Sequence, residues 1–245
     1  MQPEETQPSS WQIEVMAWLE THKLHLVYAG AAALAVWLAA FTYSHVRAGQ
    51  EASANAALAA LNKPADRTGK QPQPLAADYL KVAEQHAGTK AADRALLFGA
   101  DRLFTEGKFP EAKAHFEKYL AANATGSAAA AALLGVAACQ EAVSETDKSI
   151  ATYQQVLAQH STSPEAHPAR LALGLLHEQK KQPDQAIKLY DEVLRAKPVS
   201  VWRMEAEMRR EQLVRRHPQL ALGVPVAAAA ATALVVPATN APAKK

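Results

Sequence analysis

One uninterrupted apolar run near the start of the chain, Leu26 to Ser44, contains no charged residue. A helix of about 19 residues reaches roughly 30 Å, which is the thickness of the hydrocarbon core of a bilayer. Tyr28 lies near one end of the run and Tyr43 near the other, where tyrosine prefers the membrane interfaces. The run therefore predicts a transmembrane helix over 26–44.

Two other interpretations of this run stay open. A buried core helix is usually shorter, with roughly 10–14 apolar residues in a row. A cleaved signal peptide begins with a short, positive segment, whereas mostly acidic and polar residues precede this run. Small residues follow over 52–56, so cleavage remains an alternative to an uncleaved anchor. The few charges on either side do not decide which end of the span faces the cytoplasm.

The segments around the run differ in composition. Residues 1–25 predict a tail with a short amphipathic helix, which lies in the membrane interface or docks on a membrane partner. Residues 45–62 continue as a helical stalk, and 63–74, with three prolines, form a linker. Residues 217–245 read as a disordered, low-complexity tail, since their apolar run is too short to span a bilayer. A second membrane segment there is the alternative.

A repeat of fixed length dominates the second half of the chain. Residues 110–120, 147–157 and 184–194 align without gaps, each 37 positions after the last. A fixed period in this range is typical of stacked helical hairpins. The matched positions are Ala112, Ser149 and Ala186, then Phe116, Tyr153 and Tyr190, and then Leu120, Leu157 and Leu194.

The preceding half of each unit repeats in the same register. Leu96, Leu133 and Arg170 match, as do Ala100, Ala137 and Gly174. Small residues allow two helices to approach closely, and the aromatic and leucine rows are expected to fill the space between hairpins.

Turn residues complete the predicted fold. Gly107 and 181–183 mark the turns within the first and third hairpins, and Pro198 ends the third. We therefore predict an all-α chain, with a solenoid of about three hairpins over 75–216. Helices near 75–86 and 200–216 cap its two ends. A generic helical bundle is the alternative.

Neither the composition nor any sequence motif indicates a nucleic-acid, catalytic or metal site. The formal net charge is +2, which offers no reason to expect a nucleic-acid partner. Cys139 is the single cysteine, and it is expected to be a buried apolar residue. His22 and His25 lie one helical turn apart, but two histidines without a carboxylate or thiol make a poor metal site. We expect no enzyme activity, cofactor, metal or small-molecule substrate.

The third unit resembles the tetratricopeptide repeat. Leu173-Gly174, Ala186, Tyr190 and Pro198 stand at positions typical of that family. The first two units lack the Leu-Gly pair in phase, and the period exceeds the family's ~34 residues. The extra residues are expected in the loops at 123–127 and 160–163.

The repeat register predicts a concave, partner-binding face on the first helix of each hairpin. Its residues are Leu97, Asp101, Phe104, Leu134, Ala138, Glu141, Leu171, Leu175 and Glu178. Apolar positions ringed by carboxylates suit a peptide or an exposed helix with an apolar centre and a basic fringe.

The whole layout is similar to that of the YfgM-like proteins, ancillary subunits of the Sec translocon with a periplasmic chaperone-type role. An acidic N-terminal tail, one span, the Ala-rich stalk 50–61 and tetratricopeptide-like units carry the resemblance. It implies a bacterial inner-membrane protein with a cytoplasmic N-terminus and a periplasmic solenoid. The implied partners are translocon subunits, secreted clients or periplasmic chaperones. The alternative is a structural scaffold of a cell-division or outer-membrane assembly complex.

Overall fold

The computed structural model describes residues 10–61, 74–196 and 201–222. The predictions for the tail before residue 10, the linker over 63–73, Pro198 and the segment from residue 223 onward lie outside these residues. The chain divides into two compact units, Met1–Ala57 and Leu58–Lys245.

The described part of the N-terminal unit is a single helix, α1, which begins at Ser10 and runs without a break past the end of that unit to Leu61. At 1.5 Å per residue its 52 residues extend over about 78 Å. The segment from Glu14 is long and apolar enough to cross a membrane, and none of its most apolar 18-residue window is buried. This exposure argues against a buried core helix. A signal sequence would share these properties, so that alternative stays open.

The threonine and serine hydroxyls of the predicted span are paired within the helix itself. Thr42 Oγ1 donates a hydrogen bond to the Leu38 carbonyl at 2.9 Å, and Ser44 Oγ donates to the Phe41 carbonyl at 2.8 Å. Such local pairing suits a lipid environment, because hydrocarbon offers no partner to a hydroxyl. The helix geometry does not mark membrane boundaries, so the division into 1–25, 26–44 and 45–62 stays a prediction.

The second unit is built from consecutive short helices, each of which packs against the next one along the chain. The part of this unit that the structure describes contains no strand. The helices are α2 (Ala76–Gln85), α3 (Lys90–Thr105), α4 (Phe109–Ala122), α5 (Ala129–Ala142), α6 (Thr146–Gln159), α7 (Ala166–Gln179), α8 (Pro183–Arg195) and α9 (Arg203–Arg216), followed by a 3-10 helix (Pro218–Leu222).

Three of these helix pairs are the repeats that the 37-residue period predicts. The first hairpin is α3 and α4, the second is α5 and α6, and the third is α7 and α8. The helices α2 and α9 flank them, as expected for capping helices. The loops between hairpins lie at 123–128 and 160–165, where the sequence predicted the extra residues. The predicted all-α solenoid of three hairpins is confirmed.

The second helix of each hairpin buries two of the three predicted rows. The small row of Ala112, Ser149 and Ala186 is completely inaccessible to solvent, and the aromatic row is at most 6% exposed. The leucine row is only half-buried. Tyr119, Val156 and Val193, one position earlier in each repeat, are buried instead. In each helix the small, aromatic and buried positions are spaced i, i+4 and i+7, which defines one face.

The small residues of the first helices allow the close approach that the sequence predicted. Gly174 on α7 lies directly against the ring of Tyr190 on α8, so that an added Cβ would be 2.3 Å from the ring carbon Cε1. Tyr190 itself is fully buried. The third hairpin is therefore closed by a ring packed on bare backbone.

Each turn between the two helices of a hairpin uses one residue in the left-handed backbone region. These residues are Gly107, Ser144 and Lys181, with φ values of +77°, +64° and +57°. In each turn the next amide donates to a carbonyl five residues earlier, at 2.8–2.9 Å, as in the Schellman motif. Only the first turn has the glycine that this conformation favours.

The helix α9 closes the end of the solenoid with apolar contacts and ion pairs. Ala206 and Leu213 are buried in one cluster with Tyr190 and other residues of α8. Arg210 Nε lies 2.5 Å from Asp191 Oδ1 on α8. Arg216 pairs with Glu178 on α7. The cap is thereby tied to both helices of the third hairpin.

Candidate partner-binding groove

An apolar groove of about 500 Å³ opens beside the first helices of the first two hairpins. Most of its wall is carbon, from aromatic and aliphatic side chains of α3 and α5. Both ionisable side chains among the described residues that line it are carboxylates, Asp101 and Glu165. The lining residues are Leu97, Phe98, Asp101, Phe104, Phe116, Ala131, Leu134, Gly135, Ala138 and Glu165.

Five residues of the predicted concave face line this groove together: Leu97, Asp101, Phe104, Leu134 and Ala138. The sequence assigned Phe116 to packing between hairpins. It does pack there, in the core cluster that the first two hairpins share, but it also reaches the groove. Phe98 is 46% exposed, and its ring lies 5.7 Å from that of Tyr79. Its position next to Leu97 was the one signal that could have identified it.

The predicted residues of the third hairpin lie elsewhere. Leu171 is 5% exposed and belongs to the core cluster that contains Tyr190. It also borders a second groove of about 520 Å³, formed with Trp202, Met204 and neighbouring residues at the start of α9. Leu175 is half-buried on α7. Neither residue lines the first groove.

Glu141 and Glu178, which the sequence placed on the rim, accept hydrogen bonds from buried tyrosines. Tyr153 Oη donates to Glu141 Oε2 at 2.9 Å, and Tyr190 Oη donates to Glu178 Oε1 at 2.7 Å. Both carboxylates remain partly exposed. Much of their hydrogen-bonding capacity is thus used inside the solenoid.

The same contacts explain the titration of the two tyrosines. Burial raises the pKa of both phenols, and the neighbouring carboxylates raise it further, because a phenolate there would face a negative charge. Both tyrosines are therefore neutral hydrogen-bond donors throughout the physiological range.

Cys139 lies in the core of the first two hairpins and borders a smaller groove of about 270 Å³ with Phe109, Lys113 and Glu117. Burial raises the pKa of its thiol to about 11. Since the thiolate is the reactive form, the folded protein offers a poorly nucleophilic cysteine. The described residues contain no group of three histidine, cysteine or acidic side chains that could hold a metal ion.

Comparison with known proteins identifies the type of repeat. Residues 140–201 match the family model described as Tetratricopeptide repeat. The matched stretch covers α6, α7 and α8, and so includes the third hairpin, whose residues carried the resemblance in the sequence. The third hairpin and the helix before it therefore match a tetratricopeptide repeat, and the whole solenoid has the stacked helical hairpins of that fold type.

One solved structure that matches is the crystal structure of a tetratricopeptide repeat protein from Parabacteroides merdae ATCC 43184. The two are 18% identical, with a TM-score of 0.46. The alignment covers 58% of this chain and 53% of that one, so this chain spans about half the length of that protein. No curated protein has significant similarity to the chain.

Proposed function

We propose that this chain is a membrane-anchored protein-binding module, which captures an exposed segment of another protein in the groove of its tetratricopeptide solenoid. The observation that carries the proposal is the groove itself. Its floor is apolar, with Phe104 and Leu134, and its ionisable lining residues are carboxylates. An apolar centre with a charged rim is the usual composition of a protein-binding surface.

The anchor in this proposal is α1. Its apolar segment has the length of a membrane span, and the hydroxyls of Thr42 and Ser44 are already paired with its own backbone. Resistance of the full chain to extraction with alkaline carbonate would support the anchor. Release of the intact or shortened chain into the soluble fraction would contradict it.

The cellular setting follows from the resemblance to the YfgM-like proteins. We propose an inner-membrane protein with a cytoplasmic N-terminus and a periplasmic solenoid, which acts beside the Sec translocon as a chaperone-like component. Protease digestion of spheroplasts tests the orientation, since a periplasmic solenoid would be degraded without lysis. A solenoid protected until lysis would reverse the proposed topology.

In-cell crosslinking tests the binding function. A photoreactive residue replaces Phe98, whose ring is nearly half exposed at the groove. A matched control replaces Lys118, which is exposed on α4 and does not line the groove. Translocon subunits together with many secreted clients, captured from position 98 alone, would support the proposal. A single stoichiometric envelope protein would favour the scaffold alternative, and equal capture from both positions would contradict the groove.

A further inference from the structure

The three hairpins place a repeated pair of residues twelve positions apart. The pairs are Phe104 with Phe116, Glu141 with Tyr153, and Glu178 with Tyr190; each member advances by the 37-residue period from one hairpin to the next. In every hairpin the first member lies toward the end of the first helix and the second member lies in the middle of the second helix.

In the second and third hairpins this pair is a hydrogen bond. The tyrosine hydroxyl donates to the carboxylate at 2.9 Å and at 2.7 Å, respectively. In these two hairpins a partly exposed carboxylate, bonded to a buried hydroxyl, therefore stands at the repeat position of Phe104. An apolar ligand group placed against that carboxylate would have to desolvate a charge.

The first hairpin has two phenylalanine rings at the same positions, and both line the groove. Phe116 is 6% exposed, and its ring packs against Gly135 so closely that an added Cβ would be 2.6 Å away. The ring of Phe104 is half-buried and meets that of Phe109 edge-on, with centroids 5.2 Å apart. Because the first hairpin has an apolar pair where the other two have a polar pair, the floor of the groove is apolar.

We infer that the Phe104–Phe116 pair forms an anchor subsite for one large apolar side chain of a partner polypeptide, with a basic residue of the same segment beside Asp101. This inference rests on the proposed function, and it assigns specificity to the first hairpin. The charge of the groove selects the occupant. Asp101 is exposed and Glu165 is partly exposed at the groove, which favours a cationic flank and disfavours a fatty acid or an anionic headgroup.

A selection with random peptides tests the anchor. The full chain, reconstituted in lipid nanodiscs, is presented to a phage library of random peptides, with empty nanodiscs for counter-selection. The expected consensus is a Leu, Phe, Met, Ile or Trp next to a Lys or Arg. Burial of such a side chain contributes about ten- to a hundredfold in affinity, so its replacement by Ser in the best peptide should weaken binding by that factor.

The decisive variant is F104E/F116Y, which gives the first hairpin the hydrogen-bonded pair of the other two. It is expected to fold, with Cys139 still protected from a thiol reagent, and to lose the selected peptides by about tenfold or more. The matched control is Met204→Glu, an exposed apolar-to-acidic change outside the groove. The control is expected to bind as the native chain does.

A second variant keeps the inference testable if the double variant does not fold. Asp101→Lys changes an exposed side chain, and it is expected to shift the flanking preference from basic to acidic. Two results would overturn the inference and leave the proposed function standing. The native chain would select peptides that have no apolar anchor, or folded F104E/F116Y would bind the selected peptides as tightly as the native chain does. No selection by the native chain, with no crosslinks from position 98, would overturn both.

Discussion

The third hairpin closes its first helix onto its second with Tyr190, whose ring packs on Gly174 and whose hydroxyl is bound by Glu178. The first hairpin uses Phe116 at the same register position, with Phe104 in place of the carboxylate. One arrangement uses its polar groups internally and ties α7 to the cap through Arg216. The other leaves an apolar surface open to a partner. A shared backbone therefore supports a structural end and, in the proposed function, a binding end.

The largest expected effect comes from Glu178→Ala in the third hairpin. The change leaves the hydroxyl of the fully buried Tyr190 without its acceptor and removes the Arg216 pair, so we expect the free energy of unfolding to fall by about 3 kcal/mol. Protection of Cys139 against a maleimide pulse in urea measures this in the full chain, because that thiol is buried in the solenoid.

The matched change in the second hairpin is Glu141→Ala, which removes the acceptor of Tyr153. It is expected to cost about 1–2 kcal/mol, less than Glu178→Ala. Equal losses for the two variants would show that the contact with α9 contributes nothing to the stability of the third hairpin.

Gly174→Ala tests the close approach of the two helices. The added methyl group would stand 2.3 Å from the Tyr190 ring, and we expect a loss of about 2 kcal/mol despite alanine's better helix propensity. In a Tyr190→Leu background the same change should cost much less, since the ring that it meets is gone. An equal cost in both backgrounds, from urea unfolding, would rule out the ring contact as the cause.

The sequence predicted the hairpins and half of the groove because both depend on the register. A 37-residue period fixes which residues share a face, and it grouped Leu97, Asp101, Phe104, Leu134 and Ala138, which line one groove in the structure. The period could not show which polar groups form hydrogen bonds with other side chains of the solenoid. The carboxylates at 141 and 178 read as a rim, although each has a tyrosine twelve residues later.

Differences in packing have a similar origin. The leucine row was expected to fill the space between hairpins, and it does pack against the core clusters there, but it is only partly buried because the face of the second helix centres one position earlier, on Tyr119, Val156 and Val193. Leu171 matches Leu134 in sequence, but α9 follows the third hairpin and its cluster with α8 buries Leu171. Neighbours in space, which the repeat alignment does not contain, decide both cases.

Alkaline pH should destabilise the two hydrogen-bonded hairpins more than the first one, where burial also raises the pKa of Tyr119. The pKa values of Tyr153 and Tyr190 are raised in the folded protein by burial and by their carboxylate neighbours. Their contribution to stability is therefore complete below the unfolded-state pKa of about 10 and is lost as the pH rises above it, by up to roughly 1.4 kcal/mol per tyrosine per pH unit.

Tyrosinate absorbance measures this effect during an alkaline titration. The phenols of Tyr153 and Tyr190 are expected to ionise only as the solenoid unfolds, and Y153F/Y190F should reduce that delayed phase to the part that Tyr119 contributes, since burial raises the pKa of Tyr119 as well. The double variant is less stable near neutral pH, since it loses two hydrogen bonds, but its stability should depend less on pH. A delayed phase that persists undiminished in the variant would assign the resistance to another tyrosine.

The smallest expected effect lies in the turns, where the first hairpin has the favourable residue and the third does not. Lys181 has a left-handed backbone, which costs a non-glycine residue about 1–2 kcal/mol. Lys181→Gly should relieve that strain. The greater chain entropy of glycine in the unfolded state offsets part of the gain, so the solenoid should be stabilised by about 0.5–1 kcal/mol. Gly107→Ala should destabilise the first hairpin by about 1 kcal/mol, since it introduces the same strain.

Lys181→Ala separates the backbone from the side chain in this comparison. It removes the lysine side chain but keeps a Cβ, so its stability in urea should stay close to that of the native chain. If the alanine variant gains as much as the glycine variant, the gain belongs to the lost charge and not to the turn. If glycine alone gains, the three turns share one backbone requirement, because all three also share the amide-to-carbonyl bond that follows the left-handed residue.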